Sequence, residues 1–267
     1  MRPHHVLDPY AVDFTSVTET PGANVSSEQI VRLAQRYYWA GEYCRSLDVL
    51  EVACGAGQGL GYLCSLARSL RAGDITPALV AQARTHYGHR IEISEMDATK
   101  LPFPAQSLDV VILFEALYYL PSAASFVAEC VRVLRPGGRV LIVTANKDLY
   151  DFNPSPFSTI YYGVVELGVL FGSHGFACDF FGDSPLSAVS IRQRALRPIK
   201  KLAVKLRLMP KTMDGKRFLK RLVFGKLQPM PAEVDEHTAP RVEPLRISRD
   251  GPNRQFKVIY MTATLNG

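Results

Sequence analysis

The sequence predicts an α/β fold in which a mostly parallel sheet carries helices on both faces. Short apolar runs of strand length alternate with helical stretches between residues 47 and 144, and this alternation is typical of βαβ units. The run Leu108–Phe114 is almost continuously apolar, which indicates a strand buried on both of its faces. Right-handed crossovers between parallel strands then place helices on both sides of the sheet.

Length and composition agree with this fold class. The chain has 267 residues, of which 47% are hydrophobic and 21% are charged. This composition excludes a coiled coil, a collagen-like fibre and a disordered tail. The length fits one large domain, with or without a small appendage.

The predicted elements follow one another in a regular order. A helix over 27–45 begins after a serine, Ser26 or Ser27, whose side chain can cap it. Strands are predicted at 47–52, 70–74, 90–96, 108–114 and 139–144, with helices at 59–70, 77–87 and 122–134 between them. After residue 150, a helix within 160–171 and strands at 176–181 and 256–265 complete the pattern.

The chain divides into four segments around this sheet. These are an N-terminal arm and helix (1–46), the main sheet domain (47–183), a basic helical insertion (184–254) and the final strand (255–267). The insertion separates the last two strands, and its Pro-rich polar end, from Gln228 to Pro244, predicts loop structure.

The insertion concentrates the positive charge of the protein. Residues 192–226 contain 13 basic side chains and one acid, Asp214, in a chain whose net charge is +6. Helices predicted at 198–208 and 216–227 place basic side chains beside apolar stripes, a pattern that suits an anionic membrane surface. A solvated cap on the sheet domain, contact with a membrane or lipid-linked acceptor through residues 191–227, and RNA binding are the three alternatives.

A glycine-rich turn follows the first predicted strand, in the sequence VLEVACGAGQGLGYL. Gly55, Gly57 and Gly59 allow a ligand to approach the backbone closely, and the helix that follows presents free N–H groups. The spacing is shorter than the GxGxxG of dinucleotide-binding enzymes. No Lys-Ser or Lys-Thr pair follows, which excludes a Walker A loop.

Three acidic residues lie at predicted strand ends. Glu51 is near the end of the first strand, Asp74 ends the second, and Asp97 follows the third. Because the carboxyl ends of parallel strands meet at one edge of the sheet, we expect these carboxylates to surround one ligand crevice.

The region from Leu47 to Asn146 resembles the class I S-adenosylmethionine-dependent methyltransferases. The segments that carry the resemblance are EVACGAGQG, GDIT, MDATKLPFPAQSLDVV and RVLRPGGRVLIV, at residues 51–59, 73–76, 96–111 and 132–143. They resemble most the branch of the ubiquinone- and menaquinone-type enzymes, which is the type 11 branch. The resemblance implies a Rossmann-like sheet of seven strands, S-adenosyl-L-methionine as cofactor and S-adenosyl-L-homocysteine as product.

The resemblance also implies a role for each candidate residue. Glu51 would hold the ammonium group of the cofactor, Asp74 its ribose hydroxyls, and Asp97 its adenine amino group. The whole cofactor-binding set implied in this way is Glu51, Gly55, Gly57, Gly59, Asp74, Ile75, Asp97, Ala98 and Phe114. The alternative for Glu51 and Asp74 is that they only cap strand ends.

Glu115 and Tyr118 are the candidates for catalysis, in the sequence LFEALYYL after the fourth strand. A carboxylate within an otherwise apolar run points to a specific task. A hydrogen bond to the backbone or to the cofactor is the alternative role for Glu115. No Asn-Pro-Pro-Tyr or Pro-Cys element, as found in amino-group and cytosine methyltransferases, is present.

The function expected from this resemblance is methyl transfer to oxygen or carbon of a small-molecule, saccharide or lipid-linked acceptor. An RNA methyltransferase and a non-catalytic cofactor-binding scaffold are the alternatives. The basic insertion would favour the RNA enzyme if its charge served phosphate binding. The scaffold would use the same insertion for interaction with a partner.

Cysteine usage and the first residues predict a cytoplasmic protein. The five cysteines form no CxxC pair and no metal-ligand spacing, so we expect reduced thiols and no bound metal. The N-terminal residues contain no apolar signal region, and no apolar run reaches the ~18 residues that a membrane span needs. Peripheral contact with the inner membrane face is compatible with this expectation.

Overall fold

The computed structural model describes residues 13–186 and 227–267. The predicted basic helices lie outside the described residues, apart from Leu227 at the end of the second. The helices are α1 (Ser27–Cys44), α2 (Leu60–Cys64), α3 (Pro77–Tyr87), α4 (Ala123–Val133) and α5 (Val164–Gly172). The strands are β1 (Asn24–Val25), β2 (Asp48–Val52), β3 (Ser69–Asp74), β4 (Glu92–Glu95), β5 (Leu108–Phe114), β6 (Leu134–Ala145), β7 (Phe176–Pro185), β8 (Gln228–Pro229), β9 (Leu245–Ile247) and β10 (Phe256–Leu265). None of these helices is long and apolar enough to cross a membrane.

The main sheet has the strand order β4-β3-β2-β5-β6-β10-β7-β9 within the described ranges. Strands β2 to β6 run parallel, and β10 lies antiparallel between β6 and β7. This arrangement confirms the predicted α/β fold with a mostly parallel sheet. The predicted count of seven strands is one too low, because β9 adds an eighth strand at the β7 edge. With three residues, β9 is too short to show the alternation by which strands are recognised.

The apolar residues of the sheet divide between two clusters, one on each face. On β5, Val110, Ile112 and Phe114 belong to one cluster, whereas Val111 and Leu113 belong to the other. Helices α1, α2 and α3 complete the first cluster, and α4 and α5 complete the second. The two-sided burial predicted for β5 is therefore confirmed, and helices cover both faces.

Helix α1 begins where the sequence predicts. The Gln29 N–H donates to Ser26 Oγ (3.3 Å), and the Ser26 N–H donates to Gln29 Oε1 (3.0 Å). This reciprocal pair is a capping box, which satisfies two of the N–H groups that a helix start leaves without partners. The cap sets the direction in which α1 leaves the N-terminal arm.

Helix α2 is shorter than predicted. The helix expected over 59–70 ends at Cys64, because the chain turns there to begin β3. The N–H groups of Arg68 and Ser69 both donate to the carbonyl oxygen of Leu47 (2.9 and 3.3 Å). These hydrogen bonds place β3 beside β2 and leave no room for further helical turns.

Strand β6 is longer than predicted. It begins directly after α4, at Leu134, whereas the sequence suggested a start at Arg139. The segment Pro136–Gly138 forms an irregularity within the strand. Leu108 of β5 pairs with Leu134 of β6, and Val110 of β5 pairs with Arg139 of β6. The extra residues of β6 bulge out between these two pairs.

The described end of the predicted insertion (184–254) is extended. Residues 227–244, here called the return segment, cross α1. The phenolic hydroxyl of Tyr38 donates to the carbonyl of Asp235 (2.7 Å), and the Val242 N–H donates to the side-chain oxygen of Gln35 (2.8 Å). Strand β8 of the return segment pairs with β1 of the N-terminal arm. The return segment therefore holds both α1 and the arm in place.

An ion-pair network joins the amino-terminal ends of β2, β5 and β6. Arg68 contacts Asp48 (2.6 Å) and Asp109 (3.2 Å), and Arg135 contacts the same two carboxylates (3.1 and 2.7 Å). Hydrogen bonding from the Arg68 guanidinium is the main reason that the pKa of Asp48 lies well below its usual range. The network ties three strands together at the edge opposite their carboxyl ends.

We expect Asp48→Asn to lower the free energy of unfolding by about 1 kcal/mol at neutral pH, because it removes the charge that both arginines share. The pKa of Asp48 is lower in the folded than in the unfolded chain, so its contribution is present at neutral pH. That contribution is lost as the pH falls below about 4. Urea denaturation at several pH values should give a difference from the parent protein that shrinks in acid. An undiminished difference at pH 3 would contradict this assignment.

Candidate active site

A cavity of about 390 Å³ opens at the carboxyl edge of the parallel strands. Open α/β sheets bind their ligands at this edge. Nine of the predicted site residues line the cavity: Glu51, Gly55, Asp74, Ile75, Asp97, Ala98, Phe114, Glu115 and Tyr118. The structure therefore brings together the acidic residues from three strand ends and the candidates for catalysis. Gly57 and Gly59 are not among the lining residues.

The second and third glycines of the loop are required by packing inside the protein. A Cβ atom on Gly59 would lie 2.0 Å from ring carbons of Tyr37. Gly57 has a φ of +82°, and a Cβ atom there would lie 2.9 Å from Leu60. These glycines were expected to let a ligand approach the backbone. In the structure, the missing side chain of Gly59 lets the ring of Tyr37 approach, and that ring reaches Glu51.

Glu51 is a buried carboxyl group with one oxygen satisfied. Its side chain lies near the end of β2, and the residue is 1% exposed. The Tyr37 hydroxyl donates to Oε1 (2.8 Å), whereas Oε2 is buried and has no donor among the described residues. Burial raises the pKa of Glu51 to about 7, although the Tyr37 hydrogen bond and the charge of Arg36 act in the opposite direction. A buried oxygen without a donor is costly in free energy, so it marks a place for a cationic or N–H-bearing ligand.

Asp74 connects the glycine loop to the start of α3. One oxygen of its carboxylate accepts from the Gly55 N–H (2.9 Å), and the other accepts from the Thr76 N–H (2.8 Å). Burial raises the pKa of Asp74, while these backbone N–H groups oppose the shift. Each carboxylate oxygen has a second lone pair, so the same group can still accept from hydroxyl groups of a ligand.

The segment that contains Asp97 and Ala98 forms another wall of the cavity. One oxygen of Asp97 accepts from the N–H and from the hydroxyl of Thr99, each at 2.7 Å. This local turn fixes the direction of the Asp97 side chain. Ile75, Met96 and Ala98 supply the apolar surface next to it.

Glu115 has an unusual backbone conformation. Its φ is +51°, in the left-handed region that non-glycine residues rarely adopt. Its N–H donates to the carbonyl of Val143 on β6 (2.7 Å), and its side chain accepts from the Tyr118 hydroxyl (3.0 Å). Burial, followed by the charge of Glu115, raises the pKa of Tyr118 well above its usual value. Backbone strain of this kind is concentrated at functional sites.

Four aromatic rings lead from the cavity to the protein surface. The ring centroids of Tyr118 and Tyr119 are 4.6 Å apart, those of Tyr119 and Phe14 are 5.2 Å apart, and those of Phe14 and Phe157 are 6.4 Å apart. We call these residues the aromatic row. The first three line the cavity, and Phe157 lies beyond them.

The N-terminal arm covers the cavity. None of the predicted site residues belongs to this arm. Phe14, Val17, Thr18 and Glu19 line the cavity, and the side-chain amide of Gln58 in the glycine loop donates to the Glu19 carbonyl. The Gln58 carbonyl in turn accepts from the Val234 N–H of the return segment (2.7 Å). No sequence pattern marks these residues, because their positions depend on contacts between distant parts of the chain.

Two arginines of α1 face the cavity and were also absent from the predicted set. Arg32 and Arg36 are one helical turn apart and both line it. Burial acts to lower the pKa of Arg36, but the charge of Glu115 and other neighbours outweighs it and raises the pKa. Their i, i+4 spacing on a predicted helix is a signal that could have found them.

Comparison with known proteins identifies a methyltransferase domain. A family model described as a methyltransferase domain matches residues 50–142. A "Probable S-adenosylmethionine-dependent methyltransferase" from Mycolicibacterium smegmatis is 34% identical over 172 residues, which are 63% of this chain and 66% of that protein. Residues 50–142 therefore form a methyltransferase domain of the class I S-adenosylmethionine-dependent type. The predicted resemblance, including the type 11 branch, is confirmed for this methyltransferase domain.

Two further relatives extend the comparison. A phthiotriol/phenolphthiotriol dimycocerosates methyltransferase from Mycobacterium leprae is 41% identical over 95 residues, which are 34% of this chain and 35% of that protein. The solved structure of the YcgJ protein from Bacillus subtilis has a TM-score of 0.54 at 16% identity and covers 90% of this chain and 98% of its own, which supports the fold. The chain spans 62 to 66% of the length of the first S-adenosylmethionine-dependent relatives.

The cofactor of this methyltransferase family is S-adenosylmethionine, and the cavity fits it. The unsatisfied Oε2 of Glu51 offers an acceptor for a cationic ammonium group. The apolar surface of Ile75, Met96 and Ala98 suits a flat aromatic base. The donor and acceptor groups present therefore match the charge and shape of the cofactor.

We expect Glu51→Gln to weaken S-adenosylmethionine binding by about 10- to 100-fold, because an amide cannot pair with an ammonium group through its charge. Without cofactor, the same variant should be more stable than the parent at pH 8. The folded carboxyl has the higher pKa, so the parent loses stability as the pH rises from about 4.5 towards about 7. Isothermal titration calorimetry and urea denaturation measure the two effects.

Glu95→Gln, at an exposed position on β4, is the matched control. It should change neither cofactor affinity nor the pH dependence of stability. If Glu51→Gln were less stable than the parent at pH 8 and bound the cofactor normally, the assignment of Glu51 would be wrong.

We expect Gly59→Ala to weaken cofactor binding through Tyr37, because the added Cβ atom displaces the ring that supports Glu51. Overpacking of this kind also lowers stability, by about 1–3 kcal/mol. A double-mutant cycle that combines Gly59→Ala with Tyr37→Ala tests whether the effect on cofactor binding acts through Tyr37. The double variant should bind S-adenosylmethionine no more weakly than Tyr37→Ala alone. Additive losses of affinity would mean that Gly59 contacts the cofactor directly.

Proposed function

We propose that this chain transfers a methyl group from S-adenosylmethionine to an oxygen or carbon atom of a lipid or lipid-linked acceptor. The observation that carries this proposal is the aromatic row, which leads from a half-buried carboxylate, Glu115, out to the protein surface. The similarity of 95 residues to a methyltransferase of phthiotriol dimycocerosates supports the lipid class.

In this proposal, the carboxylates at the strand ends hold the cofactor. Glu51 pairs with its ammonium group through Oε2, which has no other donor among the described residues. Asp74 accepts from its ribose hydroxyls with the lone pairs that the backbone N–H groups leave free. Asp97 accepts from the adenine amino group, and Phe114 lies under the methionine portion, both at the cavity wall.

The cofactor supplies an activated methyl group on a sulfonium ion, so the protein has to position the acceptor and exclude water. For a hydroxyl acceptor, Glu115 would take the proton that the oxygen loses as it gains the methyl group supplied by the cofactor. Tyr118 positions the Glu115 carboxylate by its 3.0 Å hydrogen bond. For an activated carbon acceptor, the same carboxylate accepts the proton that the carbon releases.

The sequence of the basic insertion supports contact with an anionic membrane, where a lipid acceptor would be found. Residues 192–226 carry 13 basic side chains and one acid. Each basic residue near such a surface contributes about 1 kcal/mol, and salt screens that contribution. Methyl transfer to a lipid presented in anionic vesicles should therefore slow as the salt concentration rises.

The test is methyl transfer from radiolabelled S-adenosylmethionine into fractions of a cell extract. The purified chain should place label in the organic phase when it is given the lipid fraction in vesicles. Glu115→Gln should lower the rate with a hydroxyl acceptor by about 100- to 10,000-fold, because it removes the general base, and leave cofactor affinity unchanged. Calorimetry with the cofactor alone checks that affinity.

Three outcomes would overturn the proposal in different ways. Label that enters only a nuclease-sensitive aqueous fraction would identify an RNA methyltransferase. Label in a nuclease-resistant aqueous fraction would identify a saccharide or small metabolite as the acceptor. Cofactor binding without any transfer would identify a non-catalytic scaffold.

A further inference from the structure

The loop after β6 exposes large apolar side chains at the mouth of the cavity. We call residues 150–161 the mouth loop. Within it, Phe157 is 42% exposed and Ile160 is 54% exposed. A patch of exposed apolar side chains beside a binding cavity marks a surface that binds a ligand or a partner.

Phe157 is held in its exposed position by a strained backbone. Its φ is +66°, in the left-handed region that a bulky aromatic residue avoids. Glycine or asparagine would adopt this conformation with less strain, and either would expose less apolar surface. A strained backbone at such a position points to a use for the side chain that it presents.

Hydrogen bonds fix the mouth loop to Tyr118 and Tyr119, and another one lies within the loop. The hydroxyls of Ser155 and Tyr119 are 2.5 Å apart. The Thr159 N–H donates to the carbonyl of Tyr118 (2.7 Å), and the Ser155 N–H donates to the Tyr161 hydroxyl (3.0 Å). The Tyr161 ring also stacks on Tyr118 with centroids 4.2 Å apart. Phe157 therefore has a defined position relative to Glu115.

The cavity is too small to hold both the cofactor and an acceptor with a long hydrocarbon chain. About 390 Å³ is at the lower end of the range for sites that hold one drug-sized ligand, about 300–1,000 Å³. Since the cofactor occupies much of this volume, a long hydrocarbon chain has to lie outside. The aromatic row is the continuous apolar surface that runs from Tyr118 and Tyr119, across Phe14, to Phe157.

We infer that Phe14 and Phe157 form a subsite that binds the hydrocarbon chain of the acceptor where it leaves the cavity. This inference rests on the proposed function and specifies its substrate: a polar group reacts beside Glu115, and an apolar tail follows the aromatic row. Phe157 then acts as a specificity-determining residue that favours acceptors with long chains.

Binding of octyl, decyl and dodecyl maltoside below their micelle concentrations tests the subsite without the natural acceptor. The affinity of the parent protein should rise with chain length, by up to about fourfold per added methylene group that is buried. Phe157→Asn should flatten this dependence, because asparagine tolerates the left-handed backbone but offers no apolar surface. Phe157→Leu should retain most of it. Titration calorimetry gives the affinities, and thermal melting checks that each variant is folded.

Val169→Asn is the matched control, since Val169 on α5 is 67% exposed and does not line the cavity. It should bind all three maltosides like the parent. Equal chain-length dependence in the parent and in Phe157→Asn would overturn the inference, and so would an absence of binding by the parent. Either result would leave the labelled-lipid assay to decide the proposed function separately, because that assay contains no maltoside.

Discussion

The hydrogen bond from Tyr37 to Glu51 joins the helix that precedes the sheet to the strand that leads into the glycine loop. It exists because Gly59 has no side chain, so the tyrosine ring can lie against the loop. The bond satisfies one oxygen of a buried carboxylate and leaves the other for a ligand. Arg36, the neighbour of Tyr37 on α1, adds a positive charge to the same cavity. The position of α1 therefore determines both the shape and the charge of the cavity around Glu51.

The return segment in turn holds α1 in its position. It contacts α1 through Gln35 and Tyr38, and it reaches α3 through Glu233, whose carboxylate contacts Arg90 and His86 (2.7 and 2.8 Å). Glu233 occupies the space beside Gly61, where a Cβ atom would lie only 1.6 Å away. A domain matched by its family model over residues 50–142 is thus completed by chain segments from both sides of that match.

The sequence was sufficient for those features that depend on local patterns. The strand β5, the capped start of α1 and the acidic residues at strand ends follow from apolar periodicity, capping chemistry and the parallel topology. The packing around Gly57 and Gly59 was not predictable, because the sequence does not tell which atoms fill the space that a missing Cβ leaves. The cover over the cavity was not predictable, since Phe14 and Glu19 reach it through contacts with residues far along the chain.

The pairing of β1 with β8 has a consequence for the order in which the protein folds. Residues 24 and 25 leave the ribosome about 200 residues before their partners at 228 and 229. Contacts between such distant residues form late, because a long loop has to close before they gain any stability. The sheet can thus assemble around β5 before the N-terminal arm covers the cavity. A nascent chain therefore has a cofactor site open to solvent until residues 228 and 229 have been made.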